Sequence, residues 1–248
     1  MEGTDAVTST RRIAITAGVL FILATAASLT ASTVTPALTG ADYLTGVATH
    51  PHQLAAAGML YLVAAGGSVG IAIALYPVLK GFSAGFALGA VVFRTIEAVF
   101  YTAGVVSLLS LQGVSQGLRT APPTDRAAYQ VLGDSLVAAR EHAAVAAVFA
   151  FSVGAGLSYV VFYRSRLVPR WLSGWGLAGV FSILVACVLA LVNNSPVTGY
   201  VVLAAPIGVQ ELVFAGWLLV KGFSPPARSE PATRHNTSHA TRTGVLDR

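Results

Sequence analysis

Six apolar runs dominate this chain, at about residues 13–35, 54–76, 82–111, 143–163, 171–192 and 199–220. Each is long enough to cross a bilayer as a helix, for which about 20 residues suffice. Only helices and closed barrels satisfy their backbone groups inside lipid. Runs of this length therefore predict an all-α polytopic membrane protein with six transmembrane helices. Composition agrees: 10% of the residues are charged, against about 25% in a soluble domain. Such a chain lacks the polar surface to face water on all sides.

The connections carry the remaining information. Residues 1–10 read as a polar N-tail, 11–223 as the six-helix domain, and 224–248 as a disordered cytoplasmic tail rich in Pro, Ser, Thr and Arg. Arg11-Arg12 before the first run also fits a signal peptide with small residues between Ala26 and Ser32. The run continues past them to Val34, which favours an uncleaved anchor. Tyr76 to Gly81 reads as a tight turn around Pro77, joining spans two and three as a hairpin. Residues 124–140 show helical spacing of apolar residues. They read as a short amphipathic helix at the outer interface running into span four, or as a solvent-exposed helix packed on the loops.

Basic residues set the expected orientation. Of the 15 Lys and Arg, three (Arg119, Arg126 and Arg140) fall on one side and Arg94 lies within span three; the rest fall on the side of the two termini. The positive-inside rule then places both termini in the cytoplasm of a cell-membrane protein. The same distribution argues for the bilayer as partner and against nucleic acid. The lone Cys187 forms no intrachain disulfide and carries no compartment signal.

Span three holds the residues that stand out chemically. A charge at the bilayer centre costs at least about 2.5–3.5 kcal/mol, yet Arg94 and Glu97 lie there, and Glu211 lies within span six. At about 1.5 Å per residue, Arg94 and Glu211 differ in depth by about 6 Å, within reach of an Arg side chain. Tyr101 shares their helical face. The first reading is a buried charge cluster that fixes helix packing in a non-enzymatic protein. The alternative is a small-solute or proton-coupled permease that uses Arg94, Glu97 and Glu211, with a small molecule as ligand. Gly66, Gly70, Gly81, Gly85 and Gly89 read as helix-packing positions, either within the chain between spans two and three or as a seam for a homo-oligomer. His50, His52, Glu141 and His142 lie at the outer boundary. They are a candidate metal site, although their spacing matches no ligand motif. No GxxxxGK[ST], HExxH or CxxC occurs, so these motifs imply no soluble-enzyme chemistry or cofactor.

Three stretches together resemble a bacterial family of six-span membrane proteins catalogued as domain of unknown function number 4386. They are FRTIEA (Phe93 to Ala98), YRSRLVPRWLSGWGLAG (Tyr163 to Gly179) and PIGVQELVFAGWLLVKGF (Pro206 to Phe223). The resemblance covers roughly residues 10–223. It implies a six-helix integral membrane domain with an uncleaved first span, and marks Arg94, Glu97 and Glu211 as part of the family pattern. It implies no activity.

Overall fold

The computed structural model describes residues 2–224. Its helices are α1 (Glu2–Val34), α2 (Tyr43–Thr49), α3 (Pro51–Leu79), α4 (Ala84–Thr120), α5 (Arg126–Ser165), α6 (Arg170–Val192) and α7 (Val201–Val220). A 3-10 turn, Val197–Tyr200, leads into α7. Six of these are long and apolar enough to cross a membrane, all except the short α2. Large apolar side chains such as Phe181, Leu191 and Val202 are exposed on the outside, as a lipid-facing belt requires.

The six long helices close into a ring. Each packs on its neighbours in the order α1, α3, α4, α5, α6, α7 and back to α1. The termini of the ring domain lie on one side, here the termini side. The opposite side carries α2 and the tip of the α4–α5 hairpin, here the hairpin side. Helix α1 begins at Glu2, ahead of the expected start at residue 13. Extending a formed helix costs little, and Arg11 docks onto the end of α7. Its guanidinium donates to the carbonyls of Leu218 (3.2 Å) and Leu219 (2.6 Å), where a cation meets the negative end of the helix dipole.

Three expectations are corrected. Helix α3 runs through Pro77 to Leu79; the proline forgoes the bond to the Ile73 carbonyl and crowds it, yet the helix continues for two more residues. Helix α5 is continuous from Arg126 to Ser165, so residues 124–140 do not form a separate interfacial helix. No proline interrupts them. At about 1.5 Å per residue, α4 and α5 are roughly 55–60 Å long, against a core of about 30 Å. Their tip therefore projects beyond the hairpin side. Helix α2 packs beneath it, through Tyr43, Leu44 and Val47 against Leu108, Leu111 and Val114. Tyr43 donates to Asp134 at 2.9 Å. Burial and the Asp134 carboxylate push the Tyr43 phenol well above its ordinary value, so it stays a donor.

The glycines are the third correction. A Cβ at Gly66 or Gly85 would meet nothing within 4 Å, and one at Gly81 only its own turn. Gly70 faces Leu20 of α1 and Gly89 faces Leu157 of α5. Spans two and three thus do not use these residues to approach each other. Ring closure turns the small-residue face of α3 toward α1, where a Cβ at Gly67 would lie 2.9 Å from that of Ala24. Of the segment expected to be a disordered tail, only Ser224 is described, its N–H held by the Leu167 carbonyl at 2.8 Å; the rest lies outside the described residues.

Candidate functional site

Arg94, Glu97 and Glu211 meet inside the ring. Arg94 lies about 15 Å along α4 from its first residue, Glu211 about 14 Å from the end of α7, and Ser68 about 16 Å from the end of α3. All three distances match half of a core about 30 Å thick. Arg94 Nη1 donates to Glu97 Oε2 at 3.3 Å and to Ser68 Oγ at 3.1 Å. Its Nη2 donates to Glu211 Oε1 at 3.4 Å. Ser68 in turn donates to Glu97 Oε2 at 2.8 Å. The guanidinium stands 4.4 Å from the Phe151 ring centre, a cation–π contact that offsets part of its desolvation.

The pairing is unequal. One guanidinium faces two carboxyl groups. Glu97 Oε1 and Glu211 Oε2 have no hydrogen-bond partner among the described residues. Both side chains line a cavity of about 160 Å³, with Ser68, Arg94, Tyr101 and Phe151. Its volume is close to that of the roughly 150 Å³ engineered cavity that binds benzene, but here the wall is charged.

The two ends of this chamber differ. Toward the termini the space pinches to about 10 Å³ between Phe21, Tyr159, Phe162 and Phe214. Those rings contact edge-on or tilted at 5.3–6.4 Å. Gln210 locks them: it accepts from the Tyr159 hydroxyl at 2.7 Å and donates to the Leu172 carbonyl at 3.1 Å, joining α5, α6 and α7. Toward the hairpin side lies a second cavity of about 200 Å³. Ser28, Leu29 and Tyr101 line both.

The outer metal candidate is corrected. Among the described residues no group of three His, Cys, Asp or Glu side chains could hold a metal ion. Glu141 is engaged by Arg140 at 2.9 Å, and the His50 Nδ1 pairs with Thr49 Oγ1 and the Gly46 carbonyl, each at 2.9 Å. His52 and His142 complete no cluster. Sequence reasoning missed Ser68, Phe151 and Gln210. Gln210 was within reach of the rule that singled out its neighbour Glu211, since an amide in an apolar run also needs partners.

A closed ring of six apolar helices around a charged chamber defines a multipass α-helical membrane protein with a polar interior. The chain belongs to the family described as Domain of unknown function (DUF4386), whose model matches residues 16–222. No curated protein and no solved structure matches the chain significantly.

Proposed function

We propose that the chain is a permease that binds a small polar solute, or a proton, between Arg94, Glu97 and Glu211. One observation carries this reading: a cavity of about 160 Å³ at mid-membrane depth has the three charged side chains in its wall. A charge cluster that served packing alone would be dry and fully paired, since buried unpaired polar atoms are costly. The carboxylate oxygens left free at the cavity support a ligand role. The second cavity on the hairpin side and the aromatic constriction on the other side fit a chamber open from one face at a time. With the termini in the cytoplasm, as the basic residues favour, and the bacterial inner membrane that the family resemblance implies, the hairpin side is the outer one.

The test is flux in liposomes. Purified protein carrying Arg94→Leu, Glu97→Leu and Glu211→Leu together should remain folded and lose solute or proton flux relative to the natural chain. Undiminished flux in the folded triple variant would reduce the cluster to packing. That second reading has its own support, because the Arg94 guanidinium is engaged by Ser68, Glu97, Glu211 and Phe151 at once. Reporter fusions test the orientation: one after Thr49 should lie outside and one after Lys80 inside.

A further inference from the structure

Helices α1 and α7 touch on the termini side and part on the hairpin side. A Cβ at Gly18 of α1 would lie 2.9 Å from the Leu219 side chain and 3.1 Å from the Ala215 carbonyl of α7. Phe21 meets Phe214 edge-on at 5.5 Å. The same two helix faces then run on toward the hairpin side and separate. On α7, Leu219, Ala215, Leu212 and Gly208 recur at helical spacing. Leu212 is 44% exposed, and a Cβ at Gly208 would meet nothing within 4 Å. On α1, Gly18, Thr25 and Leu29 share one face. Gly18 is buried, whereas Leu29 is 60% exposed.

This gap stands in front of the charged cavity. Thr25, Ser28 and Leu29 of α1 and Glu211 of α7 line that cavity. A Cβ at Gly67 would lie 2.9 Å from the Ala24 Cβ, which sets Ala24 level with Ser68 and so with Arg94. Leu29 lies about 7.5 Å beyond Ala24, and Gly208 about 4.5 Å beyond Glu211, both toward the hairpin side. Each falls well inside half of a core about 30 Å thick. What stands outside the gap at that depth is acyl chain. Behind it, Glu97 Oε1, Glu211 Oε2 and the hydroxyls of Thr25 and Ser28 have no hydrogen-bond partner among the described residues. Thr95 and Thr102 instead satisfy their hydroxyls on carbonyls four residues back.

These groups narrow what can enter. Carboxylate oxygens accept and do not donate, so the fitting head group carries donors. An anion would meet two carboxyl groups against one guanidinium. A cation would have to shed its water at hydrocarbon depth and then stand beside Arg94, at a cost far above that of a hydroxyl. A neutral hydroxyl head meets neither obstacle. We propose that the gap between α1 and α7 is a lateral portal for a neutral single-chain amphiphile from the hairpin-side leaflet. Its hydroxyl head binds Glu97 and Glu211, and its chain lies past Gly208 and Leu29 into the bilayer. This rests on reading the central cavity as the ligand site of a permease.

Equilibrium binding to the full chain in phosphatidylcholine nanodiscs tests this. The probe is radiolabelled dodecane-1,2-diol, and empty nanodiscs measure its partition into lipid. Butane-1,2-diol lacks the chain, while dodecanoate and dodecylammonium change the charge of the head. The natural chain should bind dodecanediol at least tenfold more tightly than each of these three. Gly208→Phe fills open space, so it should keep the natural melting temperature and weaken binding at least tenfold. Natural affinity in that variant overturns the portal. Should Gly208→Phe lower the melting temperature, Leu29→Trp, which adds bulk at an exposed position, decides in the same way. Equal binding of butanediol would mean entry from water and overturns the portal. Equal binding of dodecanoate or dodecylammonium overturns the neutral head. The triple variant Arg94→Leu, Glu97→Leu, Glu211→Leu should lose dodecanediol, and retained binding there would place the head elsewhere and overturn the proposal. If Gly208→Phe binds naturally while the triple variant loses flux, the portal fails and the central site stands. If the natural chain binds no dodecanediol, the amphiphile falls, and the flux test of the central site is unaffected.

Discussion

The half of the ring on the termini side and the half on the hairpin side are built from the same six helices but packed differently. Below Arg94 lie Phe21, Tyr159, Phe162 and Phe214, with Phe162 and Phe214 fully buried and only about 10 Å³ left between them. Above it lie Ser28, Tyr61, Tyr101 and Glu141, around about 200 Å³. Lipid-like composition on the outside is common to both halves, so apolarity does not distinguish them. Ring stacking fills one half, and the other keeps a cavity whose wall is largely apolar, with Arg140 and Glu141 set into it. The interior is therefore tighter at the termini end than at the hairpin end.

Thiol labelling should expose the contrast most sharply. In a Cys187→Ala background, Ser28→Cys, which lines both upper cavities, should react with a membrane-impermeant thiol reagent applied from the hairpin side. Ser158→Cys, beside the constriction, should react at least tenfold more slowly. Equal rates would show that the lower half is as open as the upper.

Next in size come two changes to the boundary between the halves. Phe214→Ala removes the ring at the centre of the plug and should cost about 3–5 kcal/mol, read as a lower melting temperature in detergent. Arg94→Leu should cost a similar amount, about 3–5 kcal/mol, because it strands Glu97 and Glu211. The triple change Arg94→Leu, Glu97→Leu, Glu211→Leu should be less damaging than Arg94→Leu alone. Purely additive stability effects across these variants would mean that the three residues do not act as one network.

The smallest effects separate closely packed glycines from open ones. Gly179→Ala places a Cβ 3.0 Å from Ile207 and should cost about 1–3 kcal/mol through overpacking. Gly85→Leu, with nothing within 4 Å of its Cβ, should change stability by no more than about 0.5 kcal/mol. A large loss at Gly85 would mean that another surface covers that face.

Apolar run length and the cost of unpaired backbone in lipid were enough to read six spanning helices from the chain alone. Intramembrane charge is so expensive that Arg94, Glu97 and Glu211 stood out without a structure. Helix rise even put Arg94 and Glu211 at compatible depth. Ser68 was not legible, because a serine in a spanning helix usually satisfies its hydroxyl on its own backbone. Ser107, Ser110 and Ser152 do so on carbonyls four residues back, whereas Ser68 turns to Glu97. Whether a glycine faces a helix or lipid, and whether Glu141 meets histidines or Arg140, depends on how each helix is rotated in the ring. Spacing along one helix is blind to that rotation, since it is set by contacts between helices far apart in sequence. Depth in the membrane is a property of a segment and could be read from the chain. Facing, closure and the cavity are properties of the assembled ring, and only tertiary packing decided them.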